Sequence, residues 1–132
     1  MNYVGDRLAW IGGLGDDSVP GYFAIGVQAY TSSISNIAPR LSIALGKAGL
    51  ARDFNTLDRL MKKYVNPLYA LRERHRGYEV AVMKEAMEIL GLPAGPVRPP
   101  LMNLREPDVK DLRKLMEVYQ EVRRPGESVE VR

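Results

Sequence analysis

Two short runs of apolar and β-prone residues, Leu8 to Ile11 and Val27 to Tyr30, are each flanked by Gly, Ser or Asp and read as short buried strands. Their separation constrains the fold more than any other feature. Residues 12–26 are too many for an antiparallel hairpin, which uses about two to five, and suit a parallel crossover of about a dozen residues with a helix in it. Within that stretch S-V-P-G-Y-F-A-I supplies two helical turns at most, so a β-α-β unit with a cramped helix is expected. Two adjacent parallel strands do not make a stable sheet by themselves, because both edges carry unpaired amides and carbonyls and parallel sheets are covered on both faces. The sheet requires further strands.

The rest of the chain is helical in pattern. Asn36 is a candidate N-cap for a helix with Pro39 in its first turn and Leu41, Leu45 and Ala48 along one face, with Gly49 as its exit. Asp53 is the N-cap expected for a second, in which Phe54, Leu57, Met61, Tyr64, Leu68 and Leu71 step by three and four and Pro67 bends the rod. A third is predicted from Tyr78 to Leu90, stopped by Gly91, with Tyr78 as a packing residue. A fourth has Pro107 in its first turn and an apolar stripe of Val109, Leu112, Leu115, Met116, Tyr119 and Val122. Between the last two lies G-L-P-A-G-P-V-R-P-P-L, whose prolines fix φ and remove amide donors, so this link holds one shape and docks the C-terminal segment beyond it. The expected division is 1–52, 53–124 and a frayed tail at 125–132.

At 132 residues, 45% of them hydrophobic, the chain has the size of one ordinary domain. No apolar run approaches the roughly 20 residues of a spanning helix and the N-terminus lacks a signal-peptide pattern, so the expectation is a cytoplasmic protein without membrane contact. Zero cysteines exclude disulfides and thiolate chemistry, and one histidine excludes a multi-histidine metal centre. The net charge of +3 raises the question of nucleic acid. Lys62, Lys63, Arg72, Arg74, His75 and Arg76 do bunch, yet Glu73 and Glu79 interrupt them and no aromatic comb is interleaved, so a solvated helix end is expected and no nucleic-acid partner.

I-G-G-L-G-D-D at 11–17, Y-T-S-S-I-S-N-I-A-P at 30–39, R-G-Y-E-V-A-V-M-K at 76–84 and G-P-V-R-P-P-L at 95–101 resemble the C-terminal half of the dihydrodipicolinate synthase and N-acetylneuraminate lyase superfamily. The tyrosine, serine pair and asparagine after the second strand, with G-Y-x-V-x-x-x-K further on, are closest to the 5-dehydro-4-deoxyglucarate dehydratase branch. The resemblance implies an α/β fold, the last two β/α units of a (β/α)8 TIM barrel plus a C-terminal helical extension, in a chain about half as long as a complete barrel requires. It also makes the proline-rich link the scaffold that returns the last helix across the barrel, with Arg98 as a structural donor or, alternatively, an interface residue.

The resemblance further implies a class I lyase that holds a 2-keto acid as a lysine Schiff base, with no metal or organic cofactor, working as a homo-oligomer. Such a lysine sits partly desolvated in the barrel mouth. Lys47, Lys62, Lys63, Lys84, Lys110 and Lys114 all fall on predicted helices, and Lys84 with Glu88 reads as a surface i, i+4 pair. The mapping starts this chain after the lysine-bearing strand, so no catalytic residue is expected in it and the chain alone is expected to be inactive. What remains is one pocket wall at the C-terminal ends of the two strands. Gly12 and Gly13 would let a ligand approach the backbone, while Asp16, Ser32 and Ser33 would offer polar contacts to substrate hydroxyls. Asp16 has an alternative as a cap of the short helix just after it, and the serines as turn residues. G-G-L-G lacks a lysine and is followed by Asp16 and Asp17, which argues against a phosphate loop. Other readings of the whole are a synthase or keto-acid aldolase of the same superfamily, or a non-catalytic half that pairs with a separate N-terminal half.

Overall fold

β1 (Ile11–Gly12) and β2 (Ala29–Tyr30) pair in parallel, Ile11 opposite Ala29 and Gly12 opposite Tyr30. The computed structural model describes residues 7–123. Both strands are shorter than expected, and the run from Leu8 is not buried: Leu8 is 56% and Ile11 61% exposed. Among the described residues the two strands form a sheet by themselves, so nothing pairs with their outer edges to extend the ladder. The crossover is as cramped as the spacing predicts. A 3-10 turn, Asp16–Ser18, leads into the six-residue α1 (Val19–Ala24), whose Val19 and Phe23 turn inward.

The start of α2 (Pro39–Leu50) corrects the expected cap. Asn36 lies instead in a 3-10 turn, Ile34–Asn36, where its Nδ2 donates to the Ser33 carbonyl at 2.9 Å, and Ala38 is the residue ahead of the helix. Leu41, Leu45 and Ala48 are buried as their spacing predicts. Gly49 is not an exit. The helix runs past it, and it is buried where any Cβ would overlap the ring of Phe23, so its missing side chain serves α1–α2 packing.

Asp53 caps α3 (Phe54–Leu60) as expected, accepting the Thr56 N–H at 3.0 Å. The rod then continues through a π-helical turn, Met61–Val65, into α4 (Asn66–Arg72). Pro67 lacks an N–H, and its ring would collide with the carbonyl four residues back in a plain α-helix; the widened turn just ahead of it, in which Asn66 N–H reaches the Met61 carbonyl, relieves that clash. α5 (Tyr78–Ile89) ends as predicted, with the Gly91 and Leu92 amides returning to the Glu88 and Met87 carbonyls. α6 (Glu106–Arg123) buries Leu112, Met116, Tyr119 and Val122 of the stripe read from the sequence, with Val109 and Leu115 half-buried at its edge. The expected tail at 125–132 lies outside the described residues.

The link between α5 and α6 is held by the pair that read as a surface ion pair. Lys84 Nζ donates to the Ala94 carbonyl at 2.6 Å, and Glu88 Oε1 accepts the Ala94 and Gly95 amides at 2.7 and 2.6 Å. The two side chains bind the link rather than each other, because prolines leave few internal partners for its backbone. Those amides hold the Glu88 carboxyl below its usual range. Arg98, expected as a structural donor, is exposed and its guanidinium has no hydrogen bond or ion pair among the described residues.

One apolar cluster runs from Val19 and Phe23 through α2 to Val122, so the β-α-β segment and the helices after it share a core. Three of the six bunched basic residues are spent in ion pairs: Lys62 with Asp58, Lys63 with Glu121, and Arg74 with both Asp108 and Asp111. Tyr78 is buried, as a packing residue should be, and its hydroxyl also bridges Asp108 and the Arg105 amide. No described helix is long and apolar enough to cross a membrane.

Candidate functional site

Parallel strands place the loops at their C-terminal ends on one side of the sheet, and here residues 13–18 and 31–36 lie together after β1 and β2. Their contact is built on Asp16. Its side chain is fully buried, a position that a charged group holds only when its oxygens are met. Oδ1 accepts the Ser32 hydroxyl, and Oδ2 accepts the Ser33 amide and hydroxyl at 3.0 Å each, the Ile34 amide at 3.2 Å and the Tyr69 hydroxyl at 3.1 Å. Asp16 does cap helical backbone, but the start of the 3-10 turn on the neighbouring loop instead of the helix after itself.

Proton counting orients the rest. Ser32 gives its one hydroxyl proton to Asp16, so in the 2.6 Å contact between Ser32 Oγ and Ser42 Oγ the proton comes from Ser42 of α2. Ser32 Oγ also accepts the Ser35 amide at 3.1 Å. Tyr30, at the end of β2, donates to the Ser42 carbonyl at 2.7 Å, and burial with the nearby Asp16 charge pushes its phenol well above the usual tyrosine value. Tyr69 accepts the Asp16 amide at 2.7 Å while donating to its carboxylate, and burial raises this phenol too. Arg72 Nη1 donates to Ser33 Oγ at 2.9 Å, and its guanidinium lies 4.2 Å from the Tyr69 ring centre.

The residues expected to line a pocket therefore fall into distinct places. Gly13 is exposed, with open space where a side chain would be. Gly12 is buried, and a Cβ there would overlap the ring of Tyr22, whose hydroxyl accepts the Leu14 and Gly15 amides at 2.7 and 3.3 Å. Asp16, Ser32 and Ser33 come together, the serines half-buried, and their polar atoms face one another. Thr31, whose amide and hydroxyl both reach the Gly12 carbonyl, stays exposed at the rim. Among the described residues no three carboxylate or imidazole groups gather as a metal site would need.

Sequence reasoning missed Tyr22, Ser42, Tyr69 and the part played by Arg72. A signal was present for the last two. Val65, Tyr69 and Arg72 are spaced by four and three, a second helical face beside the apolar stripe, so Tyr69 and Arg72 project together. Nothing in the sequence tells that Asp16 lies across from that face, 53 positions away.

The dihydrodipicolinate synthetase family model matches residues 1–119. A probable 5-dehydro-4-deoxyglucarate dehydratase of Acinetobacter baumannii (strain AB307-0294) is 39% identical over 115 residues, 86% of this chain and 38% of that protein. One of Bradyrhizobium diazoefficiens is 34% identical over 129 residues, 96% of this chain and 41% of that protein. The crystal structure of dihydrodipicolinate synthase from Bacillus clausii superposes with a TM-score of 0.79 at 28% identity, over 86% of this chain and 38% of that one. The chain thus spans about two fifths of the length of the proteins it resembles.

Proposed function

The chain belongs to the dihydrodipicolinate synthetase family, and from that premise we propose that it forms the last two β/α units and the helical extension of a barrel lyase acting on a keto-deoxy sugar acid. The complete protein would dehydrate and decarboxylate 5-dehydro-4-deoxyglucarate, releasing one water and one CO2 and leaving 2,5-dioxopentanoate. Relatives of that name support the choice of substrate. The observation that carries the reading is the parallel pairing of β1 and β2 across a six-residue helix, with the loops after both strands held side by side. That is one sector of a barrel mouth.

In this reading the chain supplies a wall. Gly13 presents bare backbone, Thr31 stands at the rim, and Gly12, Asp16, Ser32 and Ser33 hold the two loops in register. The Schiff-base lysine belongs to the part of the barrel this chain does not span, since all six lysines here lie on helices. No cofactor and no metal enter the proposed chemistry.

A second reading, in which the chain is a non-catalytic half that pairs with a separately encoded N-terminal half, is favoured by the exposure of Leu8, Trp10, Ile11 and Leu14 around β1. The deciding experiment combines the chain with the remaining portion of the Acinetobacter relative, fused or in trans, and assays 5-dehydro-4-deoxyglucarate against pyruvate plus an aldehyde. Turnover of the sugar acid supports the dehydratase, and turnover of pyruvate with aldehyde replaces it by a synthase or aldolase. Reading the DNA on the 5′ side of the Met1 codon separates one continuous frame from two.

A further inference from the structure

We propose that Tyr69 and Arg72, on the helical extension, are positioning residues for the barrel mouth: they set the relative placement of the loops after β1 and β2 through Asp16 and Ser33. This rests on the reading above that those loops wall a substrate pocket.

Strands of two residues give a loop little to hang from. The first loop is tied at Leu14 and Gly15 by Tyr22, and beyond that point its next anchor is Tyr69, which both accepts from the Asp16 amide and donates to the Asp16 carboxylate. The second loop is tied at Ser33, whose hydroxyl donates to Asp16 and accepts from Arg72. One turn of α4 thus grips both loops.

The guanidinium is placed for this contact more than for its own solvation. Its Nε is buried without a hydrogen-bond partner among the described residues, while Nη1 reaches Ser33 and the guanidinium lies over the Tyr69 ring. An Arg at that spot braces the phenol as well as the serine, which a lysine ammonium does by charge alone. The extension therefore reaches the mouth with two side chains.

Amide exchange on the full 132-residue chain tests the clamp. Tyr69→Phe removes both bonds to Asp16 and is expected to speed exchange of the Asp16, Ser33 and Ile34 amides about tenfold, with Val82 and Met116 unchanged. Arg72→Ala should act at Ser33 and Ile34, and Arg72→Lys should retain part of the protection. Unchanged rates at the three loop amides, equal acceleration in α5 and α6, or loop amides already unprotected in the parent chain would each overturn the proposal.

In the combined barrel, Tyr69→Phe is expected to raise KM for the keto-deoxy sugar acid about fivefold with kcat nearly constant. Loss confined to kcat would overturn the positioning role. If the combined barrel turns over no sugar acid while the exchange result holds, the functional reading fails and the clamp stands.

Discussion

The Tyr78 hydroxyl donates to Asp108 Oδ2 at 2.8 Å and accepts the Arg105 amide at 3.0 Å, so the first residue of α5 closes the end of the proline-rich link onto the first turn of α6. Arg74 Nη1 holds the other oxygen of Asp108 at 2.7 Å. Together Arg74 and Tyr78 keep the Asp108 carboxyl below its usual range.

A depressed carboxylate contributes stability that is present above its unfolded-state pKa and is lost as pH falls through the lower folded-state value. Asp108→Asn should therefore destabilise the chain by about 1–3 kcal/mol near neutral pH, and the gap to the parent should close as pH falls below about 4. Thermal melts of both proteins across that range measure it, and a gap independent of pH would mean that the charge contributes nothing.

Replacing Glu88 by Ala leaves the Ala94 and Gly95 amides without their acceptor. The expected result is faster exchange and easier proteolysis of residues 92–100, with the melting of α5 and α6 little changed, because the link is largely exposed and its loss uncovers little apolar surface.

Gly49→Ala puts a methyl into the ring of Phe23, which also meets Tyr30 edge-on at 6.3 Å. Overpacking at this closed contact should cost about 1–3 kcal/mol in a denaturant titration. Pairing it with Phe23→Leu, which makes room, should recover part of the loss. Equal stability of Gly49→Ala and the parent would show that α1 moves freely on α2.

The chain alone should form no borohydride-trapped adduct with pyruvate or a keto-deoxy sugar acid, since Lys47, Lys62, Lys63, Lys84, Lys110 and Lys114 all project from helices. Intact mass after reduction measures it. A stoichiometric adduct on one of them would move the nucleophile into this chain and undo the proposed register.

Leu8, Trp10, Ile11 and Leu14 are exposed to 56, 43, 61 and 86%, and covering each such side chain is worth about 1.5–3 kcal/mol. Sedimentation should accordingly show concentration-dependent self-association, reversed by adding the remaining portion of a barrel. A monodisperse monomer with slow exchange at Trp10 and Ala29 would show that the two-stranded sheet needs no partner.

The sequence by itself determined the elements whose cause is local. The cap at Asp53, the Gly91 stop and the α6 stripe come from side chains acting on backbone within a turn or from helical spacing, and the parallel crossover comes from loop length; all are found in the structure. The motifs at 11–17, 30–39, 76–84 and 95–101 carried the family. Only the tertiary structure decided what Gly49, Lys84, Glu88, Tyr69 and Arg72 do, because each acts on a partner that helical periodicity does not specify: an aromatic ring on α1, a link backbone, a loop on the other side of the core. Asp16 shows the difference most clearly. Its position just after a strand places it at the strands' C-terminal ends, but whether a carboxylate there faces ligand or protein depends on which donors surround it, and four of those come from residues 32–34 and one from residue 69, brought within reach only by the folded chain.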